Sequence, residues 1–265
     1  MKQFAESYSR TKEGWVIFPP DTEYRKQIFP EEVNKHTAKA NVYLIQSIIE
    51  YVSEPDQTLL DIMAGTGTLM VGTLIGRKVI CIEISPMFTK LMNLALTKLE
   101  TIAPGAKAQV SVINAPCQNV LPIPHMADHI IFSPPYAGIM KSKGTDRLTT
   151  EKTDYDMAEY SQHPLNFGTM NDFIWAQEME QVYKKCYDTL PAGGTLTIIV
   201  KDHMEKRKRI PLTQAAVDAC LRVGFVLEDW FKWYVLGSVY TRIYRSRGWE
   251  TVSDEDIVIF SKIHI

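Results

Sequence analysis

The chain has 265 residues, 45% apolar and 23% charged, which is ordinary globular composition with material for one sizeable core. A net charge of −2 excludes a globally basic nucleic-acid binder but leaves room for a local basic patch. Cys81, Cys117, Cys186 and Cys220 have no C-x-x-C spacing, residues 1–13 carry no leader-like apolar core, and no run reaches the roughly 18 apolar residues of a membrane span. The expectation is a soluble cytoplasmic protein with no metal site, no disulfide framework and no membrane association.

In chain order, residues 1–28 are mixed in character, with Trp15-Val16-Ile17-Phe18 reading as a short edge strand before Pro19-Pro20. From Thr37 to Val52, Leu44, Ile45, Ile48, Ile49 and Val52 recur at helical spacing, with Thr37 placed as the cap. Thr58–Asp61 is a short apolar strand that runs into the small-residue turn Ala64-Gly65-Thr66-Gly67-Thr68, and Leu69 to Ile75 then reads as a helix. Val79–Glu83 is a second buried strand, Met87–Leu99 a helix, Ala108–Ile113 a third strand and His129–Phe132 a fourth. Residues 137–170 break this rhythm with a polar, glycine-bearing stretch, expected to be a substrate-facing insertion. Helices over Phe173–Leu190 and Leu212–Arg222, a strand over Thr195–Val200, and a strand pair over Phe225–Val235 and Asp256–Phe260 complete the chain. The alternation predicts one α/β domain over residues 1–265. It is a Rossmann-like, doubly wound, mostly parallel seven-stranded sheet with an antiparallel edge hairpin.

Ligands of such sheets bind at the carboxyl ends of the strands, near the point where strand order reverses. There the first strand ends in Asp61 and the Gly65/Gly67 turn, where two glycines let the backbone approach a ligand and a helix start offers N–H groups to a carboxylate. Asp61 would accept from an ammonium, Glu83 closing the second strand would hold ribose hydroxyls, and Asn114-Ala115 after the third would flank an adenine. A plain tight turn is the bland alternative for a lone Gly-x-Gly. The fourth strand stops at Ser133-Pro134-Pro135-Tyr136, a stiff turn rich in carbonyl acceptors and poor in N–H donors, suited to a ligand that presents two N–H groups. Tyr136 adds an aromatic face on which a planar base could stack.

Asp61-Ile62-Met63-Ala64-Gly65-Thr66-Gly67-Thr68 resembles the cofactor motif of S-adenosylmethionine-dependent DNA amino-methyltransferases, and Ser133-Pro134-Pro135-Tyr136 resembles their catalytic tetrapeptide. Asn34-Lys35-His36-Thr37-Ala38-Lys39 is similar to the block that lies over the methionine end of the cofactor. The resemblance implies S-adenosylmethionine held by Thr37, Lys39, Asp61, Ala64, Gly65, Thr66, Gly67, Thr68, Glu83, Ile84, Asn114 and Ala115, with Ser133, Pro134, Pro135 and Tyr136 catalytic. Serine in the first catalytic position is commoner among enzymes that methylate cytosine N4, which makes a site-specific DNA cytosine-N4 methyltransferase the leading expectation. Adenine N6 in DNA, an RNA base, and a catalytically inactive nucleic-acid-binding relative are the alternatives. Met63-Ala64 stands where Pro-Phe is more usual, and residues 137–170 are short for a target-recognition domain.

The DNA partner is expected to meet Lys206, Arg207, Lys208, Arg209, Arg242 and Arg245, the last two alternating with Tyr240 and Tyr244. A solvated charge run is the competing explanation. Asp202-His203 reads as a capping or surface pair rather than an acid–base pair, and the Met and aromatic residues of 173–190 read as core.

Overall fold

The computed structural model describes residues 2–34, 39–137, 163–205, 208–235, 243–244 and 246–263. Its strands are β1 (Thr58–Asp61), β2 (Lys78–Glu83), β3 (Val110–Asn114), β4 (His129–Phe132), β5 (Thr195–Val200), β6 (His203–Glu205), β7 (Lys208–Ile210), β8 (Val226–Tyr234) and β9 (Asp254–Ser261). Seven of them form one sheet in the order β3-β2-β1-β4-β5-β9-β8, while β6 and β7 make a separate hairpin. β1 to β5 pair in parallel, and β9 enters antiparallel between β5 and β8. The β8–β9 pair thus lies at the expected edge, with β9 on its inner side. Strand order reverses between β1 and β4, so their carboxyl ends flank the switch point where ligands of such sheets bind.

The sheet is buried on both faces because its strands are apolar at consecutive positions, as parallel strands covered by helices must be. Leu59 and Ile131 point into one core, Leu60, Ile130 and Phe132 into the other. The first core is closed by α1 (Thr22–Ile28), α2 (Glu31–Asn34), α3 (Val42–Val52) and α4 (Pro86–Ile102), whose buried residues include Ile28, Val33, Ile48 and Leu96. The second is closed by α5 (Cys117–Val120), α6 (Asp172–Thr189) and α7 (Leu212–Val223), through residues such as Cys117, Met179 and Val217. No helix among the described residues is long and apolar enough to cross a membrane.

Three local expectations change. The cap of α3 is Asn41, whose side chain accepts from the Tyr43 and Leu44 N–H groups; Thr37 lies outside the described residues. Residues Thr68–Ile75 form a 3₁₀ helix rather than an α-helix. Crowding fits that tighter winding, since a Cβ on Gly72 would sit 3.0 Å from Leu59 Cδ1 and 3.3 Å from Val79 Cγ2. The Trp15–Phe18 stretch does reach the sheet edge, though its backbone pairs there through Val16 alone among the described residues, with Val16 N–H donating to the Lys232 carbonyl (2.9 Å) and its carbonyl accepting from Tyr234 N–H (2.8 Å). Phe4 stacks on Phe231 of β8 with ring centroids 4.4 Å apart and holds this N-terminal segment down.

Candidate active site at the carboxyl edge of the sheet

The glycine turn is built as its sequence predicts. Gly65 and Gly67 take positive φ values of 52° and 80°, a region in which a side chain is strained. A Cβ on Gly65 would meet nothing within 4 Å, so the backbone there faces open space, whereas one on Gly67 would lie 2.6 Å from Met70 Cε. Thr66 and Thr68 are buried and shape the turn from behind.

Two carboxylates frame this turn. Asp61 Oδ1 accepts from the Met63 N–H at 2.9 Å, and no described residue donates to its second oxygen. Burial, then the neighbouring Glu83 charge, push the Asp61 carboxyl up to about 7 against that hydrogen bond. Glu83 joins the second strand to the turn, with Oε2 accepting from Gly65 N–H (2.7 Å) and Oε1 from Ser85 N–H (2.8 Å). Burial outweighs these bonds and pushes it to about 7 as well. Behind the turn, the buried Arg25 guanidinium donates to Asp21 Oδ2, to the Ala40 carbonyl and, at 3.4 Å, to Thr68 Oγ1. Lys39 sits near it, its amine pushed down to about 8 by burial and by the Arg25 charge.

Beside the turn lies a shallow, solvent-open concavity lined by Ile62, Met63, Ile84, Pro116, Cys117 and Phe167 together with Glu83. Part of the wall comes from residues no sequence signal singled out. Gln118 Nε2 donates to the Leu165 carbonyl (3.1 Å), which seats 165–167 over α5. Asn114 and Ala115 do not themselves line this concavity. The Asn114 amide donates to the Glu83 carbonyl at 2.9 Å, Ala115 N–H to the same carbonyl at 3.0 Å, and it is the next three residues that reach the concavity.

The tetrapeptide after β4 is pinned at three points. Ser133 Oγ donates to the Ile199 carbonyl (2.9 Å), the Pro135 carbonyl accepts from Trp175 Nε1 (2.7 Å), and Tyr136 Oη accepts from Lys201 N–H (2.9 Å). Burial, then the Glu255 charge, push the Tyr136 hydroxyl well above its ordinary range, so it remains a phenol. With its proton committed to Ile199, the exposed Ser133 hydroxyl turns its lone pairs outward. The Pro134 carbonyl accepts from no described residue. Two acceptors on a rigid turn therefore lack a donor among the described residues, one on exposed Ser133 and one on buried Pro134.

Around this turn the rim is a charge network. Arg209 donates to Asp202 (2.7 Å) and Asp254 (3.1 Å), Lys232 lies 2.5 Å from Asp254 and 2.7 Å from Asp256, and Lys201 faces Glu255 at 3.6 Å. Within the basic run expected to contact phosphate, Arg209 is engaged inside the fold. Its guanidinium ties the β6–β7 hairpin to β9 and to Asp202, which also caps α7 by accepting from Thr213 N–H at 3.0 Å. Lys208 is exposed, whereas Lys206, Arg207, Arg242 and Arg245 lie outside the described residues. In α6, Trp175, Met179 and Tyr183 are core as expected while Phe173 is exposed, and Trp175 also reaches the tetrapeptide.

Residues 2–94 match the family model for DNA methylases of the N6/N4 type, which spans the glycine turn and Glu83 and stops short of the tetrapeptide. No curated protein matches this chain. Among solved structures it resembles TrmN from Thermus thermophilus, with 14% identity and a TM-score of 0.51 over 88% of this chain; it spans only 52% of that protein's length. It also resembles precorrin 8W decarboxylase of Methanobacterium thermoautotrophicum, with 12% identity, TM-score 0.51, 85% of this chain and 92% of that one. An S-adenosylmethionine-dependent methyltransferase from Methanosarcina mazei aligns at 13% identity and TM-score 0.50, over 82% of this chain and 98% of its own. At such identities the likeness is one of fold, and the fold is the Rossmann-like one of methyltransferases.

Proposed function

We propose that this chain is a DNA amino-methyltransferase that moves a methyl group from S-adenosylmethionine to an exocyclic amine, cytosine N4 first among the candidates. The observation that carries it is the exposed Ser133 Oγ beside the Pro134 carbonyl, which accepts from no described residue, on a turn fixed at the switch point next to a buried two-carboxylate cleft. The DNA methylase match over residues 2–94 supports the donor and the class of acceptor.

The residues present suit the donor. Asp61 has a carboxylate oxygen without a partner among the described residues, placed for an ammonium. Gly65 exposes backbone where a bulkier residue would intrude, and the adjoining concavity offers an apolar lining together with Glu83 for a nucleoside. Lys39 and the Gly67-Thr68 helix start lie on the side assigned to the methionine carboxylate, and Thr37 is assigned to the same end. When bound, S-adenosylmethionine supplies an electrophilic methyl group on a sulfonium.

Everything else falls to the chain. An aromatic amine has its lone pair delocalised into the ring. Ser133 Oγ and the Pro134 carbonyl, by accepting its two N–H bonds, would turn that lone pair out of the ring plane and toward the cleft. Positive charge develops on nitrogen as the new bond forms, and both acceptors gain strength with it. No strong base is needed beforehand, which suits a turn that offers none. Trp175 keeps the Pro135 carbonyl out of the competition, and Tyr136 presents a ring held by Lys201 against which the base would rest. The target base must be extruded from a duplex or already unpaired.

The deciding experiment incubates the chain with labelled S-adenosylmethionine and separately with DNA and RNA, digests the products to nucleosides and identifies the modified one. N4-methylcytosine from DNA is expected. N6-methyladenine, or label only in RNA, would replace the target, and no base methylation in either polymer would overturn the reading.

A further inference from the structure

The segment between β8 and β9 leaves and rejoins the sheet at the edge that carries the tetrapeptide, since β8 runs with β1 to β5 and β9 runs against them. Within it, a short turn is closed by Trp249 N–H donating to the Tyr244 carbonyl at 3.0 Å and by Arg247 N–H donating to the same carbonyl at 3.1 Å. Gly248 makes that turn possible with a φ of 73°. The result is a stack in which the Tyr244 and Trp249 rings lie 5.2 Å apart at 28°, with the Arg247 guanidinium 5.7 Å from the Trp249 centroid. Tyr244 remains 41% exposed although Trp249 covers one of its faces, so its other face is open to solvent.

The charges nearby make this stack distinctive. Arg209, Lys232 and Lys201 are all opposite carboxylates, whereas Arg247 has no carboxylate partner among the described residues. The charges of the rim are therefore largely paired among the described residues, and the Tyr244–Trp249 rings offer a strand a contact that does not depend on charge. The few residues from Trp249 to Glu255 reach at most roughly 20 Å when fully extended. Glu255 in turn lies against Lys201, whose N–H holds Tyr136.

We propose that the Tyr244–Trp249–Arg247 stack is a second nucleic-acid contact, a platform on which an unpaired DNA base beside the target base stacks, with Arg247 on the adjoining phosphate. It rests on the nucleic-acid reading above and deepens it, because the chain would then hold a single strand or an opened duplex rather than a closed one. A ring pair takes any base, so the contact is sequence-tolerant and only weakly dependent on salt.

The test measures binding alone, with the full chain, a short single-stranded DNA of mixed sequence and the same backbone made abasic, over a range of salt. Tyr244→Ala is expected to weaken the base-bearing strand roughly 5- to 100-fold without changing the salt slope. Tyr244→Phe, which keeps the ring, should bind like the native chain, and the abasic strand should bind the native chain at least as weakly as the normal strand binds Tyr244→Ala. Arg247→Ala should reduce the salt slope by about 0.7. Equal binding of abasic and normal strands, or native affinity in Tyr244→Ala, overturns the proposal. Methyl transfer is not the readout, so a chain that binds in this way but transfers no methyl would sink the catalytic reading alone.

Discussion

Asp61→Asn separates the two roles of that carboxylate, because the structure predicts opposite effects on stability and on binding. Burial holds the Asp61 carboxyl at about 7 instead of 3.8. The unfolded chain ionises this group freely near its ordinary value, while the folded chain resists ionisation until about 7. Stability is therefore fullest below pH 4, falls between pH 4 and 7, and stays low above that window. The difference corresponds to at most about 4 kcal/mol, an upper bound because Asp61 keeps some contact with solvent and couples to Glu83. Asparagine is nearly isosteric, keeps an acceptor for Met63 N–H and cannot ionise; leaving its amide partly unpaired returns about 1 kcal/mol. Net stabilisation of the ligand-free protein by about 1–3 kcal/mol is expected at pH 8 and should vanish near pH 4. Denaturant unfolding at the two pH values reads it. Calorimetry with S-adenosylmethionine should show the reverse, since the variant offers the ammonium no charge. In the native chain, affinity should fall up to about tenfold per pH unit below 7 as Asp61 takes up its proton. A variant that is less stable at pH 8, or that keeps native cofactor affinity, would refute the assignment.

Ser133→Ala removes one of two acceptors that strengthen during methyl transfer, so single-turnover rates should fall about 100- to 1000-fold with cofactor affinity unchanged. Trp175→Phe keeps the ring packing but frees the Pro135 carbonyl, and it should lower turnover through a misplaced turn, visible as a fall in kcat at nearly constant KM. Tyr136→Phe leaves the Lys201 N–H without its acceptor at a cost of about 1–3 kcal/mol in the stability of the turn, measured by denaturation alongside turnover. Arg209→Ala should destabilise the folded chain and leave the salt slope of DNA binding unchanged, because its guanidinium is held by Asp202 and Asp254.

The elements easiest to foresee were those in which one strong local signal agrees with the fold. The apolar runs of β1, β2, β4 and β5, the Gly65/Gly67 turn and the proline stop after β4 all lie close to where the sequence places them. The contacts between distant segments could not be foreseen from spacing. Trp175 looks like core and is core, yet its indole N–H reaches a carbonyl forty positions away. Arg209 looks like a phosphate ligand within a basic run, and only the fold reveals Asp202 and Asp254 beside it. Pro116, Cys117 and Gln118 carry no chemical signature; they matter because β3 ends two residues before them. The helix cap moved from Thr37 to Asn41 because either residue type can cap, and the choice rests on where the buried stripe begins.

The position of β9 also governs how the molecule can be assembled and cut. It is the most C-terminal of the described strands, yet it is sandwiched between β5 and β8. Until it is in place, β5 presents an open apolar edge that carries Ile198 and Val200, a template on which another chain could pair. β8, and with it the Val16 contact at its outer side, has no other strand to hold it to the sheet. A truncation before Asp254 would remove more than a tail. It would leave a gap between β5 and the edge strand, cast off β8 and strip Lys232 and Arg209 of Asp254 and Asp256. Ribosome-bound chains should accordingly stay sensitive to protease around β8 until β9 has emerged.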